Sequence, residues 1–346
     1  MKKTDMHELR KDPLLGRWIA VYSYPRDPSD YSIHATENHE KDCILCPGKE
    51  DELPPAIMSM PKKSGSKRSE REWWTRVIPH VTPVFCGDGD LGRTGVGLYD
   101  KMNGIGADEI VIESPDHSKR PEDMGIEQMV RVITTYRERI VALDEDPRFR
   151  YTLIYKNSGK RAGALFSHPA SHIASTPVIP KRVKEELDGA KLYFNYKERC
   201  IFCDVIREEL RVNQRVILET DHFLLFCPYA SKFPFETWII PKKHSCAFQD
   251  IQSDEMKDFA YVLAAVLRKL RKTFNGLAFN YFIHTAPNRI PRKDHWHTLG
   301  EDYHWHVEII PRLLTTSGFE WGSGFYILPT SPEYAAKFLM EVDYGD

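Results

Sequence analysis

Apolar residues recur at three- and four-residue steps over two long stretches, Met129, Ile133, Tyr136, Ile140 and Leu143 in the first and Met256, Phe259, Leu263, Val266 and Leu270 in the second. That period gives each stretch one apolar face and predicts an amphipathic helix. Ser253 is placed to cap the second helix, Asp254 and Glu255 suit its positive start, and Arg268, Lys269, Arg271 and Lys272 suit its negative end. After each helix come β-branched and aromatic runs, residues 151–155 and 279–283, which read as strands, as do 109–114 and 237–241. Residues 62–72 and 289–302 are rich in charge and chain breakers and predict surface loops.

These elements come in the same order twice. Each half runs Cys-x-x-Cys, His, helix, strand, His: Cys43, Cys46, His117 and His168 in the first, Cys200, Cys203, His244 and His304 in the second. A chain of 346 residues is long enough for two domains at roughly 150 residues each. The expectation is an α+β protein of two tandem related domains, 1–195 and 196–346, each an antiparallel sheet carrying one long helix, with the boundary near 192–198.

Composition narrows the function. Lys and Arg number 48 against 50 Asp and Glu, a net charge of −2, so there is no basic excess of the kind that grips nucleic acid. An apolar fraction of 41% marks a folded chain, yet its apolar runs, such as residues 259–267, are too short to cross a bilayer. Charge rather than an apolar stretch follows Met1, so a cytoplasmic location is expected, with no membrane partner.

Two thiolates three residues apart reach one metal ion, and a tetrahedral zinc needs two further ligands. The repeated histidines supply them, which predicts two zinc ions per chain, one held by Cys43, Cys46, His117 and His168 and the other by Cys200, Cys203, His244 and His304. His284 is a competing ligand for the second. With all four positions filled by protein, both metals read as structural. Cys86, Cys227 and Cys246 have no such partners and read as buried small residues. In the run Tyr303-His-Trp-His-Val-Glu-Ile-Ile-Pro-Arg312, alternation puts His304, His306 and Glu308 on one face of a strand and Tyr303, Trp305, Val307 and Ile309 on the other.

Taken together, Cys43-Ile-Leu-Cys46, Glu113-Ser-Pro-Asp-His117, Tyr155-Lys-Asn-Ser-Gly159, Ala162-Gly-Ala-Leu-Phe-Ser-His-Pro169, the run 303–312 and Gly318-Phe-Glu-Trp-Gly-Ser-Gly324 resemble the galactose-1-phosphate uridylyltransferase branch of the histidine-triad superfamily. The resemblance implies two histidine-triad-like domains, a homodimer, and transfer of a nucleoside monophosphate between a nucleotide sugar and a sugar 1-phosphate or phosphate. It also implies a His-Pro-His-x-Gln motif whose second histidine attacks the α-phosphorus, and a phosphate-contacting amide, here Asn157. The chain departs from that motif: Ala170 stands at the nucleophile's position and His172 at the glutamine's, while His80 and Leu328 stand where asparagine is usual. The catalytic candidates are therefore His172 and, in the second half, His306, which is equivalent to position 170. Asn157, Gly159, Ser171 and Glu308 are the substrate-binding candidates. The alternatives are a nucleotide phosphorylase working through His306 and a catalytically impaired or inert nucleotide-binding protein in which Ala170 is a natural or an engineered replacement.

Overall fold

The computed structural model describes residues 8–22, 25–31, 43–62, 73–292 and 296–343. The loop expected at 62–72 falls, apart from Lys62, outside the described residues, as do 293–295 of the second loop. Ten strands form the main sheet. In the first half they are β1 (Met58–Pro61), β2 (Trp73–Pro79), β3 (Ala107–Ile112), β4 (Tyr151–Ser158) and β5 (Ala170–Thr176). In the second half they are β6 (Val216–Glu219), β7 (Phe223–Phe226), β8 (Thr237–Pro241), β9 (Phe279–His284) and β10 (His306–Pro311).

The spatial order is β1-β2-β3-β5-β4 followed by β9-β10-β8-β7-β6, so each half repeats one strand order and the two meet at β4 and β9. All of these pairs are antiparallel, and Asn157 of β4 faces Asn280 of β9 across the junction. The repeat is thus two copies of one unit fused edge to edge into a single sheet, which satisfies both inner edges.

The predicted helices are α1 (Ile126–Asp144) and α4 (Ser253–Thr273), which pack together on one face of the sheet. Their apolar stripes, with Tyr136, Ile140, Phe259 and Leu263, bury against Val77, Ile154, Tyr281 and Val307. On the opposite face α2 (Lys181–Lys197) and α3 (Ile201–Val212) cover the second half, while Cys43 and Leu45 cover the first beside Ile110 and Ile112. The expected boundary at 192–198 is the last turn of α2 and the αL residue Glu198 that ends it.

Four other expectations are corrected. The N-cap of α4 is Gln252, one residue before the expected Ser253. Lys269 does not serve its own helix end. Its Nζ reaches the last carbonyls of α5 (Pro332–Glu341) and beyond, Leu339 O at 2.8 Å and Val342 O at 2.7 Å, and so caps a different helix. Within 289–302, residues Leu299–Asp302 form one helical turn with Asp302 fully buried, its Oδ2 accepting from Trp296 and Thr298. Cys86 is exposed rather than buried. No helix among the described residues is long and apolar enough to cross a membrane.

Candidate functional site

Each half carries a thiolate-imidazole cage on the face away from α1 and α4. In the first, Cys46 Sγ lies 3.4 Å from His117 Nδ1 and 3.7 Å from His168 Nδ1, and the two nitrogens are 3.3 Å apart. In the second, Cys203 Sγ lies 3.4 Å from His244 Nδ1 and 3.7 Å from His304 Nδ1. The four ligand atoms of each set lie within 4.8 Å of one another. A tetrahedral ion with bonds of about 2.3 Å to sulfur and 2.05 Å to nitrogen requires edges of roughly 3.6 Å and 3.35 Å. The sulfur–nitrogen edges of both cages, 3.4 and 3.7 Å, and the 3.3 Å nitrogen–nitrogen edge of the first match that geometry, so the residues fit the group. Backbone carbonyls aim the imidazoles: His168 Nε2 bonds Ser114 O at 2.8 Å and His244 Nε2 bonds Gly300 O at 2.9 Å. His284 belongs to neither cage, since its Nδ1 pairs with Glu186 at 2.7 Å.

The second half closes over its own histidine strand. His306 is 0% exposed, its ring stacked between Trp238 at 4.5 Å and His284 at 5.0 Å. Glu308 is equally buried, and burial pushes its carboxyl up, but the charge of Lys232, 2.9 Å away, together with His284 and His306, pulls it down to about 2. The polar face that alternation predicted on this strand is thus a sealed network beneath α2 and α3, with no wet side.

The first half instead opens onto a cleft of about 380 Å³ at the sheet end where β4 and β10 finish and β5 and β9 begin. Its wall holds His117 and His168 of the first cage, Asn157, Gly159 and Ala170, then crosses to Leu267 and Arg271 of α4 and to residues 276–279. Lys119, Arg120, Lys160, Arg161, Arg271 and Arg312 line it against the one carboxylate of Glu122. Such a field draws polyanions. Asn280 donates to Asn157 Oδ1 at 2.8 Å, which fixes the amide with Nδ2 as its donor edge. Gly159 must be glycine: its φ is +81°, and an added Cβ would stand 2.9 Å from Ala278 Cβ.

Beneath Ala170 lies a network that the sequence motifs do not reveal. Lys156 Nζ donates to Glu113 Oε2 at 2.6 Å and to the Ala170 carbonyl at 3.0 Å, with both side chains of the pair at most 3% exposed. Tyr136 donates its one proton to Glu113 Oε1 at 2.9 Å and sits 2.7 Å from Ser171 Oγ and 2.9 Å from the Tyr281 hydroxyl. Ser171 therefore faces α1, away from the methyl of Ala170. A charged residue at an inward position of an apolar strand was the available signal, because such residues are almost never buried unpaired.

His172 shares the face of Ala170 but is not on the cleft wall. Its ring stacks on Tyr155 at 5.0 Å and lies 5.7 Å from that of His80, and its Nδ1 is buried without a partner among the described residues. Burial first, then the charges of His80 and Lys156 against those of Asp108 and Glu113, lowers its pKa to about 4. The unfolded chain takes up this proton near pH 6.5 and the folded one refuses it until about pH 4. Its contribution, up to ~3 kcal/mol, is present above about pH 6.5 and lost as pH falls towards 4. His172→Gln should flatten that acid limb of a denaturation series by a comparable amount; an unchanged limb would contradict the assignment.

Residues 89–249 match the family model described as galactose-1-phosphate uridyl transferase, N-terminal domain, and 186–333 match its C-terminal domain. An ADP-glucose phosphorylase of Arabidopsis thaliana is 33% identical over 97% of this chain and 93% of its own length. A galactose-1-phosphate uridylyltransferase of Thermotoga maritima is 29% identical over 98% of this chain and 99% of its own. The crystal structure of an Arabidopsis thaliana ADP-glucose phosphorylase with bound ADP-glucose superposes with a TM-score of 0.81 at 32% identity, covering 98% of this chain and 100% of that one.

Proposed function

The chain belongs to the galactose-1-phosphate uridylyltransferase family and is a nucleotidyltransferase of it, and on that premise we propose that it uses the cleft at Ala170. The donor is a nucleoside diphosphate hexose, and the acceptor is a phosphate group, either inorganic phosphate or a hexose 1-phosphate. The observation that carries this reading is the cation-lined cleft, where Asn157, Gly159 and the first cage converge beside the start of β5. The His306 strand is the poorer site, because 0% exposure leaves no surface for an anhydride.

In this mechanism Asn157 Nδ2 holds the α-phosphate, the bare backbone at Gly159 lets it approach, and the Lys and Arg rim neutralises the diphosphate. Lys156 pins the carbonyl of Ala170 and so fixes the strand under the reacting phosphorus. We assign zinc to both cages, two ions per chain, as supports for the loops that carry His117 and His244. A homodimer is proposed on the exposure of Tyr99 and Trp321, 74% and 78%, which a second copy would cover. A cytoplasmic location accords with seven cysteines of which none is paired in a disulfide.

The test is to incubate the protein with ADP-glucose, UDP-glucose or UDP-galactose and either acceptor, and to measure released hexose 1-phosphate and new nucleotide. Turnover of one donor is expected, and the acceptor that supports it separates phosphorolysis from hexose exchange. Calorimetric binding of the donors without turnover would replace this reading with that of an inert nucleotide-binding protein.

A further inference from the structure

Nucleotidyl transfer takes one of two routes. A side chain with a free lone pair attacks the α-phosphorus and is then relieved by the acceptor, or the acceptor attacks directly, with both substrates bound at once. Among the described residues, no side chain on the cleft wall presents that lone pair to the cleft: its one carboxylate, Glu122, is 5% exposed, with Oε1 held by Arg271 at 3.4 Å and Oε2 buried. His117 and His168 turn Nδ1 into the cage, and His168 Nε2 is spent on Ser114 O. Lys156 is an ammonium held by Glu113, and Lys119 and Lys160 are donors only.

The hydroxyls fare no better, because serine needs an adjacent base. Ser167 Oγ lies 3.2 Å from His117 Nε2, but a metal on Nδ1 leaves the hydrogen on Nε2, so the ring donates to that oxygen. Ser118 also lines the cleft, but its hydroxyl and its N–H both donate to Asp116 Oδ1, at 2.7 and 3.0 Å, which commits the side chain to its own turn, and Ser158 has no histidine or carboxylate bonded to it among the described residues. Ala170 presents only a methyl group, 7% exposed, and His172 is stacked away on Tyr155. Meanwhile the cations come from both halves, Lys160 and Arg161 from the first, Arg271 and Arg312 from the second. That distribution suits two anions carrying about four negative charges between them.

We propose that the acceptor phosphate binds in this cleft together with the nucleotide sugar, over the methyl of Ala170, and attacks the α-phosphorus directly. The inference rests on the transfer reading above. A bond forms between an acceptor oxygen and the α-phosphorus. The bond from that phosphorus to the bridging oxygen breaks, and hexose 1-phosphate leaves with the electron pair. The acceptor's proton passes to the departing phosphate or to water.

The route is read from stereochemistry. With a donor made chiral at the α-phosphorus by sulfur substitution, one displacement inverts the configuration and two retain it. Inversion is expected, with initial-velocity lines that intersect and no acid-labile label left on the protein by α-³²P-labelled donor. Retention, or a label on the wild-type chain, overturns the proposal while transfer itself stands; loss of such a label in His172→Ala would move the nucleophile one step along β5. Absence of turnover with every donor and acceptor removes the transfer reading and this inference with it. In Ala170→His the new imidazole should acquire acid-labile, base-stable label, and a folded variant that stays unlabelled would show that the α-phosphorus does not lie over residue 170.

Discussion

Replacing Lys156 by Met is expected to cost about 3–5 kcal/mol of stability, because it leaves the Glu113 carboxylate buried without its cation. The pair has no exposed alternative, since both side chains are at most 3% accessible. Melting should fall by roughly 5–10 °C. Because Lys156 also holds the Ala170 carbonyl, turnover should fall at temperatures where the variant is still folded, with little change in KM. The double variant Lys156→Met, Glu113→Leu should regain at least half of the lost stability, since removing both charges also removes the desolvation cost. A single variant that melts like the parent would show that the pair is not closed as described.

The two cages should part company when each loses a thiolate. Cys203→Ser is expected to release one metal ion per chain and to lower stability by several kcal/mol, because Cys200 is the N-cap of α3 and Cys203 lies in its first turn, and α3 covers the core of the second half. Its turnover below the melting range should stay within a few-fold of the parent. Cys46→Ser should also release one ion, but it should lower kcat by ~10–100-fold, because His117 and His168 form part of the cleft wall and Ala170 follows His168 by two residues. Metal analysis by plasma emission beside melting curves and rates separates these outcomes. Equal effects of the two variants on rate would contradict a role for the first cage alone at the site.

Much of this was legible because the signals are local or periodic. The stripes at Met129–Leu143 and Met256–Leu270 mark α1 and α4 because a helix repeats its face every 3.6 residues, and the Cys-x-x-Cys pairs mark the cages because spacing limits what one ion can reach. Ser171 was read as a substrate-binding candidate, although strand parity puts it on the face opposite Ala170, where its hydroxyl meets Tyr136. What stayed hidden depends on distant pairing. Nothing local tells that β4 and β9 join two sheets into one, that Lys269 caps α5, or that Lys156 finds Glu113, 43 residues earlier in the chain. The charge pattern along α4 reads as a dipole complement until the C-terminal helix is in place.

The most direct measurement is a crystal structure of the protein with a nucleotide sugar bound. The α-phosphorus is expected in van der Waals contact with the Ala170 methyl, its oxygens on Asn157 Nδ2 and the Lys and Arg rim, and metal in the Cys43, Cys46, His117, His168 cage alongside. A diphosphate bound instead at the opened His306 strand, with the Ala170 cleft empty, would contradict it.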